Sequence, residues 1–231
     1  MSMKPTYIVV GATMGMCLFL ASLGIYQPVC RAGGETSMKF PIQLEDAWVP
    51  AYESDFSEKE LKSEWVVTAG NAIVEEGALV LRAAKGYAQI ILYKPCFPSP
   101  GVRMEFGVSI ADYAKLNDMS PFLNANQAGC AGSYLFQLGA EQNTVDRLRR
   151  IGIPVQETVN DTILLEHRHL YHVVAENDRG HLRFVVDGTT IFEWDDPIPL
   201  WGPEHCHIGF YTWESEIHID YLRIYQKVPK H

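Results

Sequence analysis

Short stretches of alternating apolar and polar residues, separated by turn-forming residues, run along the chain from about residue 65 to its end. In residues 101–110 (GVRMEFGVSI), nearly every second side chain is large and apolar, which is the period of a β-strand with one buried face. Turn chemistry such as Asp187-Gly188 separates the later stretches. Many short strands at regular spacing predict an all-β fold, either a sandwich or a barrel.

The N-terminal segment has a different pattern. Lys4 is followed by continuously apolar or small residues as far as Arg31, and Cys30 and Ala32 are the small residues expected before a cleavage point. We therefore predict a signal peptide over residues 1–32. The alternative is an uncleaved membrane anchor, because the apolar stretch is long enough to span a bilayer. Either way, we expect an exported protein, whether periplasmic, secreted or on the cell surface.

One domain is expected after this leader. We predict an irregular lead-in over residues 33–52 and a single β domain over residues 53–231. Breaks in the apolar pattern at residues 70–71 and 75–77 are consistent with hairpins. Residues 111–131 interrupt the strand pattern, and a loop of that length in a compact β domain is either functional or poorly ordered.

Composition and charge exclude several function classes. The chain is 47% hydrophobic and 20% charged, a globular rather than a disordered balance. Its formal net charge is −9, with only a short basic cluster at residues 147–150, so we do not expect nucleic acid as a partner. The same charge favours a neutral over a strongly anionic partner. Beyond the leader, Cys96, Cys130 and Cys206 allow at most one disulfide.

Three segments in order carry a family resemblance: DFSEKELKSEWVV with the following ALVLRA, then LYHVVAENDRGHLRFVVDGTTIFEWDDP, and finally HIGFYTWESEIHIDYLRIYQK. Over roughly residues 50–228 the chain resembles the concanavalin A-like lectin/glucanase superfamily, and especially its exported bacterial laminin-G-like members. The resemblance implies a two-sheet antiparallel β-sandwich, a jelly roll, that binds sugars across a concave sheet. Lectins, glycoside hydrolases and polysaccharide lyases use this scaffold, so the activity stays open.

An apparent catalytic motif occurs early in the chain. Glu53, Asp55 and Glu58 match the ExDxxE spacing by which glucanases of this superfamily present two carboxylates for a retaining mechanism. In those enzymes the motif lies on a central strand with apolar flanks, whereas here it precedes a charged segment at the start of the domain. We interpret it as a solvated loop and assign it no catalytic role.

A better candidate site is one face of residues 205–213 (HCHIGFYTW). Alternation places the apolar side chains of this strand towards the core and gathers polar and aromatic ones on the other face, namely His205, His207, Tyr211 and Trp213, with Gly209 between them. Aromatic rings stack on pyranose rings, and imidazoles bind hydroxyls or move protons. This face is a predicted sugar-binding surface, and a plain solvent-exposed face is the alternative.

Other polar side chains are candidates to meet this face. If one concave sheet gathers Arg103, Glu105, Gln137, His172 and His207, it contains an acid, a base and a charge stabiliser. We predict catalytic roles for Arg103, Glu105, His172 and His207, should the protein be an enzyme. Binding roles are predicted for His205, Tyr211, Trp213, Gln137, Arg183 and Trp201, the last in a rigid Pro-rich loop.

The sequence suggests two kinds of metal site. The pairs His205/His207 and His167/His169 lack a recognisable third ligand. Relatives of the resembled family often hold a structural calcium through an Asp of the last strand, and Asp220 occupies the matching place; its alternative role is to cap a β-bulge. We therefore expect no required cofactor, with Asp220 as a candidate ligand of a structural calcium ion.

The function predicted from the sequence is recognition of a polysaccharide or oligosaccharide by an exported β-sandwich. One alternative is a polysaccharide lyase or glycoside hydrolase that uses the His, Glu and Arg side chains named above. A second alternative is a structural or adhesive envelope protein, which would contact a membrane only through an uncleaved N-terminal segment.

Overall fold

A computed structural model describes residues 46–83, 85–151, 158–160 and 163–229. Within this part the chain folds into two antiparallel β-sheets. Sheet A has eight strands, and its main path follows the order β13-β12-β11-β6-β15-β4-β3, with β1 paired to β15. Sheet B has seven strands in the order β10-β9-β8-β7-β14-β5-β2. The predicted all-β, two-sheet antiparallel sandwich is confirmed.

The strands of sheet A are β1 (Asp46–Ser54), β3 (Asn71–Glu75), β4 (Ala78–Arg82), β6 (Gly101–Ile110), β11 (Tyr171–Asp178), β12 (His181–Val186), β13 (Thr189–Asp195) and β15 (Glu216–Pro229). Those of sheet B are β2 (Trp65–Ala69), β5 (Tyr87–Leu92), β7 (Ser120–Ala125), β8 (Tyr134–Gly139), β9 (Val145–Arg150), β10 (Thr158–Asn160) and β14 (His207–Trp213). A single helical turn, α1 (Ala140–Asn143), connects β8 to β9.

The core is built from alternate side chains of both sheets. In β6 the predicted apolar face is buried, and in β14 Ile208 and Phe210 contribute from sheet B. Phe106 and Phe210 meet edge to face across the interface, with ring centroids 5.0 Å apart. Because each strand alternates, burying one face of sheet B against sheet A leaves its other face available for other contacts.

One of the two expected hairpins at residues 70–77 is wrong. β3 and β4 do form a hairpin, but β2 pairs with β5 in sheet B whereas β3 belongs to sheet A. Gly70 therefore carries the chain from one sheet to the other. A Cβ at this position would lie 2.3 Å from Cβ of Ala88, and its φ is +70°, so the crossing requires glycine.

Two segments predicted to be irregular contain strands. Residues 46–52, assigned to the lead-in over 33–52, belong to β1, which pairs with β15; Pro50 concealed the pattern, and the register shifts beside it. Within the predicted loop at residues 111–131 lies β7, whose six residues are all buried and therefore show no alternation. The predicted leader at residues 1–32 and the rest of the lead-in lie outside the described residues.

Cys96 and Cys206 form a disulfide that ties the segment after β5 to the start of β14. The Cys130 thiol is free and half-buried, and burial raises its pKa to about 11. Among the described residues, no helix is long and apolar enough to cross a membrane.

Loss of the disulfide is expected to destabilise the domain. The bond closes a loop with a sequence separation of 110 residues, and cross-linking a loop of this size raises the free energy of the unfolded chain by about 5 kcal/mol. We expect the double variant Cys96→Ala/Cys206→Ala to lose most of this in denaturant unfolding, whereas Cys130→Ala changes stability little. Equal unfolding free energies for the double variant and the parent would contradict the pairing.

Candidate functional site

The candidate site is an open groove of about 720 Å³ beside the outer face of sheet B. Strands β8, β9 and β14 supply its floor through Gln137, Arg147 and Tyr211, and Trp213 stands at the end of β14. Residues 114–118, the α1 turn, His167 and Glu214 form its rim. The groove is therefore built from strand side chains and bordered by loops, an arrangement common to ligand sites.

An aromatic platform lies along this face. Tyr87 of β5 is the cross-strand neighbour of Trp213, and their rings are stacked with centroids 6.3 Å apart. Tyr87 also stacks on Tyr211, at 5.7 Å between centroids. Trp213 is 43% exposed and Tyr87 46% exposed. We call Tyr87, Tyr211 and Trp213 the aromatic platform; its nearly parallel, accessible rings offer flat apolar surface beside polar groups.

Asp118 is a buried carboxyl group on the groove lining. Burial raises its pKa to about 6, although hydrogen bonds from Ser120 and Gln137 and the charges of Arg147 and Arg149 all favour the ionised form. The Gln137 Nε2 donates to Asp118 Oδ2 over 3.1 Å, and the Ser120 hydroxyl donates to Oδ1. A carboxyl group with a pKa near neutral, facing a groove, is able to exchange a proton with a ligand.

Two guanidinium groups of β9 lie on the same side of sheet B as Gln137. Arg147 forms an ion pair with Glu141 of α1. The Arg149 Nη1 approaches the Gln137 Oε1 at 3.5 Å, the outer limit of a hydrogen bond. Arg149 is also close enough to Tyr211 to lower its pKa, although burial dominates and holds that pKa well above the ordinary value. The floor thus presents positive charge beside a carboxyl group of variable ionisation.

Asn117 joins three segments of the groove rim. Its Nδ2 donates to the carbonyl of Trp213 over 2.9 Å, and its Oδ1 accepts from the amide of Gln142 over 3.2 Å. Left-handed backbone occurs around the groove at five non-glycine residues, Asp118, Glu141, Gln142, Asn143 and Glu214. Strained backbone of this kind persists where surrounding contacts impose it, and it clusters at functional sites.

The other half of the outer face is covered by the segment at residues 126–132. Gln89 attaches this segment, accepting a hydrogen bond from the Cys130 amide over 3.2 Å. A Cβ on Gly129 would lie 2.0 Å from the Gln89 amide nitrogen, so the close approach requires glycine. Beneath and beside the segment lies a small apolar cluster that contains Ile91, Phe122 and Leu135. The accessible part of the face is therefore the groove end.

Three of the predicted binding residues are brought together. Tyr211, Trp213 and Gln137 all line the groove. The predicted face of β14 is otherwise only partly accessible. His207 is buried, stacked on Tyr93 with centroids 4.7 Å apart, and burial lowers its pKa. The space over Gly209, expected to admit a ligand, is filled by Phe122, whose ring would lie 2.4 Å from an added Cβ.

The expectation that one sheet gathers the proposed acid, base and charge stabiliser is wrong. Arg103 and Glu105 are on β6 and His172 is on β11, and both strands belong to sheet A, as does β12 with Arg183. Gln137 and His207, by contrast, are on strands of sheet B. Arg103 donates to Glu176 over 2.6 Å, and His172 Nδ1 is 3.0 Å from the Tyr221 hydroxyl. Alternation gives the face of each strand but not its sheet, so these residues do not form one centre.

The remaining predicted binding residues lie away from the groove lining. His205 precedes β14, and its Nδ1 is 3.2 Å from the Asn124 carbonyl oxygen. Arg183 is on β12, beside Glu193. Trp201 is 51% exposed, in a loop held by Asp196, which binds both Arg150 and the Tyr134 hydroxyl. Their binding roles stay predictions.

The described residues supply no further metal ligands beside Asp220 or beside the two histidine pairs. Asp220 is exposed, at the bulge where the register of β15 against β6 shifts between Ile219 and Tyr221. Within the described ranges, no group of three or more His, Cys, Asp or Glu side chains is placed to hold a metal ion. His167 approaches the Ala111 carbonyl and His169 the Asp187 carboxylate, so that histidine pair has separate partners. Calcium binding by Asp220 stays a prediction.

The ExDxxE segment is only in part the solvated loop that the sequence predicts, because Glu53 lies on strand β1, whereas Asp55 and Glu58 are exposed and follow that strand. Glu53 pairs with Arg223 at 3.0 Å and Glu58 with Lys62 at 2.9 Å. Asp55 accepts a hydrogen bond from the Ser57 amide, which lowers its pKa. These three carboxylates line a different crevice, beside β1, and not the groove on sheet B.

Sequence reasoning missed Tyr87, Asp118, Arg147, Arg149 and Glu141. A usable signal existed for two of them, since Arg147 and Arg149 are alternate residues of one strand and must share a face. Tyr87 is recognisable only once β5 is known to pair with β14. Asp118 lies in the long segment at 111–131, where the sequence predicts a functional or poorly ordered loop but has no pattern that distinguishes one residue.

Comparison with known proteins identifies the fold. No family model matches the chain, and no curated protein matches it significantly. Among solved structures it is similar to the carbohydrate binding module CBM66 from Bacillus subtilis (12% identity, 68% of this chain, 92% of that one, TM-score 0.58). It is also similar to the catalytic domain of an endo-1,3-β-glucanase (laminarinase) from Thermotoga petrophila, with 12% identity over 79% of this chain and 99% of that one and a TM-score of 0.58. An endo-β-1,3-glucanase from Pyrococcus furiosus is similar as well, with 13% identity over 79% of this chain and 96% of that one and a TM-score of 0.59.

These likenesses define the class of fold, a concanavalin A-like jelly roll, in agreement with the resemblance found in the sequence. At identities of 12–13% they extend to the fold alone.

The buried Asp118 should make the protein less stable at neutral pH than an uncharged side chain would. Its pKa rises from 3.8 to about 6 on folding, so the native state holds the proton more tightly and stability falls as pH rises from about 4 to about 6. We expect Asp118→Asn to raise the free energy of unfolding at pH 7.5 by up to about 3 kcal/mol, and to have little effect at pH 4.

The matched control is Asp196→Asn, at a buried carboxylate bound by Arg150 with both oxygens at 2.7 Å. This variant should be destabilised by about 3 kcal/mol, because a buried guanidinium loses its counter-charge. Chemical denaturation at both pH values measures each effect. A loss of stability in Asp118→Asn at pH 7.5 would contradict the raised pKa.

Proposed function

We propose that this protein binds a carbohydrate, in the form of a polysaccharide or its oligosaccharides, in the groove on sheet B. The observation that carries the proposal is the aromatic platform: exposed, nearly parallel rings of Tyr87 and Trp213 at the edge of a groove that also holds hydrogen-bonding groups. Pyranose rings have apolar C–H faces that pack on aromatic rings, while their hydroxyls need polar partners.

The polar groups of the groove are suited to form hydrogen bonds with sugar hydroxyls. Gln137 offers an amide, Asp118 a carboxyl group, and Arg147 a guanidinium, all on the lining. Gln137 and Asp118 are hydrogen-bonded to each other and Arg147 is paired with Glu141, so little side-chain entropy is lost when a ligand replaces water. The names of two of the similar structures, a carbohydrate binding module and a laminarinase, add support from the shared fold.

Removal of a platform ring should weaken glycan binding. We expect Trp213→Ala or Tyr87→Ala to raise Kd at least about tenfold, since each ring supplies stacking area. Trp201→Ala is the matched control: this tryptophan is equally exposed but does not line the groove. Affinity electrophoresis over neutral and acidic polysaccharides, followed by calorimetry with the best ligand, measures both. Unchanged affinity in Trp213→Ala would contradict the proposed surface, as would a loss confined to Trp201→Ala.

A second candidate function, cleavage of the bound glycan, is favoured by Asp118. This carboxyl group lines the groove and has a pKa of about 6, so it is able to act as a general acid or base. Glu141 and Glu214 are the other carboxylates of the lining among the described residues, each in an ion pair with a basic side chain. Binding stands first because both of these carboxylates are engaged by basic side chains, so the described lining offers Asp118 no second carboxyl group without an ion pair.

Product analysis separates the two functions. For an enzyme, mass spectrometry would detect new oligosaccharides, either hydrated by hydrolysis or one water lighter by elimination, and Asp118→Asn should abolish their release while ligand binding persists. We expect the activity to pass through an optimum as pH varies, with one of the two flanks of the profile near pH 6, where Asp118 titrates. Release that continues unchanged in Asp118→Asn would remove Asp118 from the mechanism, and no release from any polysaccharide would leave binding as the function.

We further propose that the protein is exported. The N-terminal pattern of residues 1–32 supports export, and a Cys96–Cys206 disulfide is the kind of bond that persists in an oxidising compartment.

A further inference from the structure

We propose that the groove selects glycans that carry carboxylate groups, sugars of the uronic acid type, and that Arg149 binds this carboxylate. The inference rests on the proposed carbohydrate binding and adds the class of sugar. It is carried by the placement of Arg149 on the groove side of sheet B together with the contacts that its guanidinium makes and lacks.

Arg149 has few partners for a half-buried guanidinium. Its Nη1 reaches the Gln137 Oε1 only at 3.5 Å. Its Nε is buried and has no hydrogen-bond partner among the described residues. In the same part of the chain no carboxylate forms an ion pair with it, whereas its neighbours on β9 have them: Arg147 with Glu141 and Arg150 with Asp196. The buried Nε is out of a ligand's reach, and the Nε of Arg147 is buried as well. Arg149 is set apart by the lack of an ion-pair partner within the described ranges, so its terminal nitrogens are suited to bind an oxyanion.

The surroundings place this charge beside the groove. Arg149 is not itself on the lining, but its Nη1 approaches Gln137, which is, and it alternates with the lining residue Arg147 along one face of β9. Its cross-strand neighbour is Leu135, and Gln137 lies two residues further along β8 on the same side. A glycan that extends along the groove floor past Gln137 therefore approaches this cationic group.

The net charge of the whole chain does not oppose this selectivity. A formal charge of −9 repels long polyanions at a distance, but that repulsion is screened within about 10 Å at ordinary salt concentration. Contact between one carboxylate and one partly desolvated guanidinium is screened much less. Planar guanidinium and carboxylate groups also match each other's geometry, with two parallel hydrogen bonds. Short acidic oligosaccharides are accordingly the appropriate probes.

The experiment compares each acidic oligosaccharide with its own neutral form. Tetrasaccharides of galacturonate, of mannuronate and of alternating glucuronate-containing type are titrated into the full chain at pH 7.5, alongside the same compounds after carboxyl reduction to the neutral sugar. The readout is the ratio of the two affinities within each protein variant. We expect the parent protein to bind at least one acidic form at least about tenfold more tightly than its reduced form.

Three variants assign the selectivity to Arg149. In Arg149→Gln the affinity ratio should fall to near one, and in Arg149→Lys it should be intermediate, because the charge remains but the paired geometry is lost. Arg223→Gln, at a half-exposed arginine of sheet A, is the control and should keep the parent ratio. Asp118→Asn should increase the ratio, since it removes a negative charge that competes for the same guanidinium.

Each alternative outcome overturns a defined part of the account. Equal or tighter binding of the reduced forms would refute carboxylate selection while the groove remains a glycan site. Tighter binding of a sulfated neutral tetrasaccharide than of every acidic one would replace the carboxylate with a sulfate ester. A ratio that survives in Arg149→Gln would move the selectivity elsewhere. Absence of binding by any glycan, acidic or neutral, would instead refute the proposed function itself.

Discussion

The packing of alternate side chains between two sheets is the constraint on which the other features depend. Every second residue of β6 and β14 is committed to the core, where Phe106 and Phe210 meet, and burial of this apolar area drives the fold. The same alternation obliges Tyr211 and Trp213 to face outward. The site is therefore a consequence of core formation: strands that are fixed on one face present a fixed array on the other.

The groove departs from what stability alone would favour. A carboxyl group is buried at Asp118 although its charged form is penalised there, several non-glycine residues of the rim have left-handed backbone, and Arg149 keeps unused donors. The buried carboxylate of Asp196 differs, since it is matched by Arg150 and Tyr134 and holds a loop in place. The fully matched carboxylate of Asp196 serves the scaffold, whereas the Arg149 guanidinium, which has no ion-pair partner in the described ranges, lies beside the groove, where a ligand would supply one.

The two-sheet fold could be predicted because alternation and turn residues are local signals; the Asp187-Gly188 turn, for example, does connect β12 to β13. Local signals do not determine to which of the two sheets a strand belongs. That is why Arg103 and His172 seemed candidates to meet His207, although they belong to the other sheet. Likewise β7 has no alternation because both its faces are covered, and Tyr87 becomes part of the platform only through its pairing with Trp213. Contacts between distant strands decide these features.

The central claim is that a glycan binds on the outer face of sheet B at its groove end. Hydrogen–deuterium exchange of the full chain, with and without the tightest-binding oligosaccharide, tests this most directly because it reports every segment at once. The account predicts slowed exchange in peptides that cover residues 114–118, 139–147 and 211–214, with strands β11 to β13 of sheet A unchanged. Protection centred on sheet A, or on the crevice beside β1, would contradict it.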